Sequence, residues 1–194
     1  MNSSLIGYNS PPSKDLLNFA QQQHILALDD EIPILKMLSL ALRFHGFKNV
    51  TIESDPQKAL QTIANTPTSL LITDYSMLSL VGPQVVDLAR SKTPSYRGQV
   101  LFISGSFDDE LRGLTLEGHI TALNAKYHGK NFPYLTMSDN FLAKPFEAKT
   151  IRAAVVGLCA KLENAPVQYV PQIKADSNPS FPLPAYNPDC AVGF

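Results

Sequence analysis

The stretch SLLITDYSML, residues 69–78, sets an apolar run against a single aspartate, Asp74. Its first residues predict a buried strand, and Asp74 stands where that strand ends. An aspartate in this position can cap the turn that follows. It can also be a nucleophile held at the edge of a sheet. The other motifs of the chain decide between these two interpretations.

Composition limits the class of protein. A chain of 194 residues is long enough for one well-buried core. A formal net charge of −1 predicts binding to neither nucleic acid nor a membrane surface, and no apolar run approaches the roughly 20 residues that span a bilayer. Two cysteines and an N-terminus unlike a secretory signal favour reduced thiols and a cytoplasmic location.

The chain divides into three predicted regions. Residues 1–23 are a polar N-terminal extension with a short amphipathic patch, and residues 24–163 alternate apolar runs with helical periodicity. Residues 164–194 carry six prolines, which exclude a long helix or a central strand. We expect this tail to be extended or disordered.

The middle region predicts an alternation of strands and helices. The strands are HILALDD (24–30), NVTIES (49–54), SLLIT (69–73), QVLFIS (99–104) and NFLAK (140–144). The helices occupy 31–46, 55–66, 82–92 and 147–163, and either Ser54 or Asp55 can cap the second of them. This alternation predicts an α/β fold with a parallel sheet covered on both faces. Such sheets bind ligands beyond the carboxyl ends of their strands.

Polar residues collect at those carboxyl ends. Asp29 and Asp30 close the first predicted strand, Asp74 the third, Ser104 the fourth and Lys144 the fifth. One acid after a strand is usually a helix cap, but agreement among four strand ends favours a functional site. Carboxylates suit Mg²⁺, and an aspartate can accept a phosphoryl group while a lysine and a hydroxyl hold its oxygens.

These motifs together resemble the receiver domain of two-component response regulators, the CheY-like family. LALDDE resembles the first strand with its acid pair, and LLITDYSM followed by Gly82 resembles the phosphoacceptor strand and loop. FISGS and FLAKPF resemble the segments that supply the hydroxyl and the lysine–proline pair. The intervals also match, with 44 residues from Asp30 to Asp74 and 30 from Asp74 to Ser104. The resemblance implies a doubly wound, flavodoxin-like sheet of five parallel strands in the order 2-1-3-4-5.

The resemblance also implies a role for each site residue. Asp74 would be the phosphorylated aspartate, and Ser104 and Lys144 would contact the phosphoryl group. Phe141 would be the aromatic residue that moves with Ser104 on activation, with an ordinary core aromatic as the alternative, and the Lys144–Pro145 peptide would be cis. The implied Mg²⁺ ligands are Asp29, Asp30, Asp74 and the backbone carbonyl of Ser76.

The chain departs from the family pattern at three places. Leu78 replaces the proline common four residues after the phosphoacceptor, and Val81 replaces a frequent acid. The interval from Ser104 to Lys144 is 40 residues, about twice the usual length. We therefore expect an insertion within about 106–138, next to the family's usual dimerisation and output face.

The predicted function is that of a single-domain response regulator, a signalling protein and not an enzyme. Its expected partners are a histidine kinase or histidine phosphotransfer protein and an unknown protein target, with no nucleic acid, since the tail lacks basic character. A partner-controlled pseudo-receiver scaffold, docking through the insertion, is the main alternative. A metal-dependent phosphatase of the haloacid dehalogenase type is weaker, because Ser76 stands where such enzymes carry a second acid.

Overall fold

A computed structural model describes residues 11–94, 96–105 and 140–163 of the chain. The expected insertion within about 106–138 and the expected tail at 164–194 lie outside the described residues. The domain boundaries proposed from the sequence therefore stay predictions.

Five strands alternate with helices in the described chain. The strands are β1 (Ile25–Leu28), β2 (Val50–Glu53), β3 (Leu70–Asp74), β4 (Gln99–Ser104) and β5 (Asn140–Ala143). The helices are α1 (Lys14–Gln22), α2 (Ile32–Phe44), α3 (Pro56–Asn65), α4 (Gly82–Lys92) and α5 (Ala148–Glu163). The elements of the middle region begin and end within two residues of their predicted limits.

All strand pairs are parallel, and the sheet has the order β2-β1-β3-β4-β5. The predicted α/β class and strand order are therefore confirmed. Strand side chains alternate between two hydrophobic cores, as the two-residue repeat of a strand requires. Ile25 and Ala27 pack with residues of α1, α2 and α5, whereas Leu26 and Leu28 pack with residues of α3 and α4. Because β1, β3 and most of β4 are buried on both faces, these strands are mainly apolar runs in the sequence.

Two helix ends explain how the chain turns between elements. Asp55, one of the two predicted caps, accepts a hydrogen bond from the Gln57 N–H at 2.8 Å and begins α3. Gly46 follows the end of α2 with a φ of +87°, a left-handed conformation that glycine adopts without steric cost. The N–H groups of Gly46 and Phe47 donate back to the Arg43 and Leu42 carbonyls, which closes the last turn of the helix.

The short amphipathic patch of the predicted N-terminal extension lies in a full helix, α1. Ser13 caps α1 by accepting a hydrogen bond from the Leu16 N–H. Leu16 and Ala20 are buried against α5, and the Gln21 side chain donates to the His45 carbonyl at 2.7 Å. Within the part of the chain that the structure describes, no helix combines the length and the apolar character needed to cross a membrane.

His24, which directly precedes β1, contacts β2 and the segment before β3 at the edge of the sheet opposite the polar strand ends. Its Nδ1 lies 3.2 Å from the Thr68 hydroxyl and its Nε2 lies 2.9 Å from the Thr51 hydroxyl. The Thr68 hydroxyl donates to the Thr66 carbonyl, so it accepts from Nδ1–H, and Nε2 accepts from Thr51. Burial lowers the pKa of His24, which favours this neutral form.

We expect His24 to make the folded state less stable as the pH falls. The unfolded chain binds a proton near pH 6.5, the ordinary pKa of this side chain, whereas the folded chain binds it only at lower pH. Between about pH 7.5 and about pH 5.5, urea denaturation should therefore show a larger loss of stability for the wild type than for His24→Gln. An equal loss in both proteins would contradict this assignment.

Candidate phosphoacceptor site

The carboxyl ends of β1 and β3 bring two acidic side chains together. These strands are neighbours, with Leu28 opposite Thr73 in the register, so Asp29 and Asp74 end adjacent strands. Asp29 is fully buried, and Asp74 is 5% exposed. Two buried carboxylates at one sheet edge repel each other unless a cation lies between them.

Lys144 supplies that cation from the end of β5. Its Nζ lies 2.8 Å from Asp29 Oδ2 and 2.8 Å from Asp74 Oδ1. A third acid, the exposed Glu31, has its Oε1 3.8 Å from the same nitrogen. The Lys144–Pro145 peptide bond is cis, as the family resemblance implied.

Backbone N–H groups hold the other oxygens of the acids. The Glu31 N–H donates to Asp29 Oδ1, the Ser76 N–H donates to Asp74 Oδ2, and the Leu78 N–H donates to Asp30 Oδ2, each at 2.9 Å. Such bonds to ionised acceptors are stronger than neutral ones and fix the orientation of each carboxylate. Asp30 therefore faces the loop after β3, whereas Asp29 and Asp74 share Lys144.

The environment raises the pKa of both partners in the Asp74–Lys144 pair. Burial is the main cause for Asp74 and the Asp29 charge adds to it, while Lys144 and the Ser76 N–H act in the opposite direction. Burial alone would lower the pKa of Lys144, but its bonds to Asp29 and Asp74 outweigh that effect. The pocket thus keeps the lysine charged and makes the ionised Asp74 less favourable than in water.

Ser104 and Phe141 lie on the strands next to this pair. Ser104 is buried at the end of β4, one residue beyond the partner of Asp74 in the register, and its carbonyl accepts from the Lys144 N–H at 2.7 Å. Phe141 stacks on Phe102 with ring centroids 5.0 Å apart, and both rings lie 6.3 Å from Tyr75. Tyr75 directly follows Asp74, so this aromatic cluster is joined to the pocket.

The loop between β3 and α4 returns closely to Asp74. The Gly82 N–H donates to the Tyr75 carbonyl, and a Cβ at position 82 would lie 2.4 Å from the Asp74 carbonyl oxygen. Met77 is buried inside the loop, whereas Leu78 is 91% exposed. Glycine at 82 is therefore required for the loop to close over the end of β3.

The donor set is chemically suited to Mg²⁺. Three aspartates and one lysine leave two uncompensated negative charges if all are ionised, and carboxylate and carbonyl oxygens are the ligands this ion prefers. No group of three acidic, histidine or cysteine side chains in the described residues converges in a metal-binding geometry. Because Mg²⁺ keeps several waters and often uses only one or two carboxylates, the residues fit the ion without such a cluster.

The structure brings together most of the predicted site residues. Asp29, Asp74 and Lys144 are in contact, while Asp30 contacts Leu78 instead of the other two acids. Ser76 contributes its N–H to Asp74, and its carbonyl remains a predicted ligand. Sequence analysis missed Glu31 and the Leu78 N–H. The leucine at position 78 permits this N–H group, but nothing in the sequence indicates that it would meet Asp30.

The chain is similar in sequence to a curated chemotaxis protein. It is 23% identical over 147 residues to a probable chemotaxis protein CheY of Rhizobium etli, a match that covers 76% of this chain and 100% of that protein. No family model matches the chain.

Solved structures share its fold. Vibrio cholerae CheY4 superposes with a TM-score of 0.54 and 22% identity, over 71% of this chain and 98% of that one. A CheY-like receiver domain protein of Methanospirillum hungatei gives a TM-score of 0.55 and 20% identity, over 73% and 97% of the two chains. The sheet order and these superpositions show the fold of CheY-like receiver domains, and the match to the curated relative extends over the full length of that protein.

We expect Gly82→Ala to destabilise the domain by about 2 kcal/mol, because its methyl group would overlap backbone that cannot move freely. Gly105→Ala is the matched control, since a Cβ there meets only Lys144 methylenes at 3.9 Å or more. Urea denaturation measures both variants. Equal stability of the two would contradict the close approach.

We expect Asp74→Asn to stabilise the domain by about 1 kcal/mol in Mg²⁺-free buffer near neutral pH. The substitution removes a buried carboxylate whose ionised form the pocket disfavours. Lys144 keeps its bond to Asp29. The exposed Asp15 provides the control variant Asp15→Asn, which should change stability by less than about 0.5 kcal/mol. Destabilisation by Asp74→Asn would mean that the pair with Lys144 outweighs the cost of burial.

Proposed function

We propose that Asp74 accepts a phosphoryl group from a histidine kinase or a histidine phosphotransfer protein. The observation that carries this proposal is the buried Asp74 carboxylate, 2.8 Å from Lys144 Nζ and beside the buried Asp29. Burial removes the water that would shield the carboxylate, and the lysine supplies a fixed positive charge at the reacting atoms.

The step forms one bond and breaks one. A carboxylate oxygen of Asp74 attacks phosphorus of the phosphohistidine, and the phosphorus–nitrogen bond breaks as the oxygen–phosphorus bond forms. The histidine nitrogen leaves with the bonding electrons and takes up a proton, which gives a neutral imidazole and an aspartyl phosphate. Such transfers depend mainly on positioning and charge stabilisation, since the protein performs little further covalent chemistry.

Lys144 and Ser104 would hold the transferred group. Conversion of the Asp74 carboxylate into an acyl phosphate adds negative charge beside Asp29, and Lys144 Nζ is already at the position where that charge develops. Ser104 is buried at the end of the neighbouring strand, and its hydroxyl can donate to a phosphoryl oxygen.

Asp29, Asp30, Asp74 and the Ser76 carbonyl would hold Mg²⁺, whose charge would compensate the phosphoryl oxygens. The two negative charges that Lys144 leaves uncompensated support this assignment.

The signal would pass through protein contacts in the cytoplasm. Phe141 would connect the pocket to those contacts, because its ring packs with Tyr75, the residue after the proposed phosphoacceptor, and with Phe102 on β4. Ser104 ends β4, the strand that carries Phe102, so a change in the position of Ser104 would also displace the aromatic cluster. We propose Ser104 and Phe141 as the pair that communicates phosphorylation to the protein surface.

Acetyl phosphate with Mg²⁺ should produce a phosphoryl adduct in the wild type, detected by intact-mass spectrometry. Asp74→Asn should abolish the adduct because it removes the nucleophile. Asp55→Asn is the matched control, since Asp55 caps α3 and lies outside the pocket, and this variant should still be modified.

Binding of beryllofluoride provides a second measurement, because this phosphoryl analogue requires no chemical step. The proposal expects Mg²⁺-dependent binding in the wild type and none in Asp74→Asn. If the wild type shows neither the adduct nor this binding, the proposal fails, and the partner-controlled scaffold becomes the better interpretation.

A further inference from the structure

We propose that the hydrogen bond from the Leu78 N–H to Asp30 Oδ2 is a latch that competes with Mg²⁺ for the Asp30 carboxylate. The inference rests on the proposed function, because it concerns the metal site of the phosphoacceptor pocket. In this proposal the Leu78 N–H lowers the affinity of the chain for Mg²⁺.

The bond joins two segments that are distant in sequence. Asp30 lies between β1 and α2, Leu78 lies in the loop between β3 and α4, and the N–H and Oδ2 are 2.9 Å apart. The Leu78 side chain is 91% exposed, so the main contribution of residue 78 to the site is its backbone N–H. A change of side chain that keeps this N–H should leave the bond intact.

Proline at position 78 could not make this contact. Its ring nitrogen carries no hydrogen, and the receiver family commonly has proline four residues after the phosphoacceptor. The leucine of this chain therefore adds a donor that aims at a predicted metal ligand. The latch therefore depends on leucine, in place of proline, at position 78.

The latch acts through the orientation of Asp30. The carboxylate faces residue 78, whereas Asp29 and Asp74 face Lys144. In this arrangement no three acidic side chains of the described ranges converge on one metal position. Turning Asp30 toward the other two acids would stretch or break the bond to the Leu78 N–H, so the free energy of that bond opposes metal binding.

The same bond ties the loop to the end of β1 while the metal is absent. Binding of Mg²⁺ by Asp30 would release the loop at Leu78, while the Gly82 N–H still donates to the Tyr75 carbonyl. The exposed Leu78 side chain lies on the part of the loop that is released. Metal binding would in this way alter a surface beside the phosphoacceptor before any phosphoryl group arrives.

Isothermal titration calorimetry with Mg²⁺ on the full chain tests the latch. Leu78→Pro removes the N–H and should lower the Mg²⁺ dissociation constant about two- to tenfold, the range expected for loss of one competing hydrogen bond. Leu78→Ala keeps the N–H and is the matched control, with a constant close to that of the wild type.

The outcomes separate the latch from the proposed function. Equal dissociation constants for the wild type and Leu78→Pro would overturn the latch and leave the metal site standing. Equal tightening in Leu78→Pro and Leu78→Ala would also overturn it, since the side chain would then be responsible. An absence of Mg²⁺ binding in all three proteins would overturn the latch together with the metal site.

A second measurement needs no substitution at residue 78. In the wild type, Mg²⁺ should accelerate hydrogen exchange of the Leu78 amide and shift its NMR proton signal upfield. The Gln57 amide, which donates to Asp55 Oδ1 at 2.8 Å outside the pocket, is the internal control and should not respond. A Leu78 amide that is unaffected by saturating Mg²⁺ would overturn the latch whatever the calorimetry shows.

Discussion

The contact of one ammonium group with two buried carboxylates organises this domain. The sheet order sets β1 beside β3, so Asp29 and Asp74 meet at the same edge with little access to water. Two such charges are compatible with a folded core only when a cation joins them. Lys144 reaches them from the end of β5, and this contact between residues 115 positions apart therefore requires β1, β3, β4 and β5 to be in place.

The same contact determines the ionisation and the orientation of Asp74. Burial and the neighbouring Asp29 disfavour the ionised Asp74, and Lys144 holds it in one orientation. The proposed phosphoryl transfer would add negative charge beside Asp29, and balancing it would require further positive charge or a rearrangement of hydrogen-bond donors. The aromatic contacts among Tyr75, Phe102 and Phe141 provide a packed path by which such a rearrangement can extend beyond the pocket.

Local patterns predicted the secondary structure well for a physical reason. Strands buried on both faces are continuous apolar runs, and β1 and β3 are almost entirely buried. The N-terminal helix was underestimated, because isolated short helices are marginal and gain stability from packing. Leu16 and Ala20 form that packing with α5, a partner more than a hundred residues away that no local pattern could indicate.

The sequence by itself determined the alternation of elements, the parallel sheet and the polar residues at its carboxyl edge, since each depends on side-chain periodicity and strand direction. Only the tertiary structure decided which groups contact one another. Lys144 joins Asp29 to Asp74, whereas Asp30 accepts from the backbone of Leu78. Every residue except proline carries an N–H group, so the side-chain pattern could not reveal which of them would meet a carboxylate.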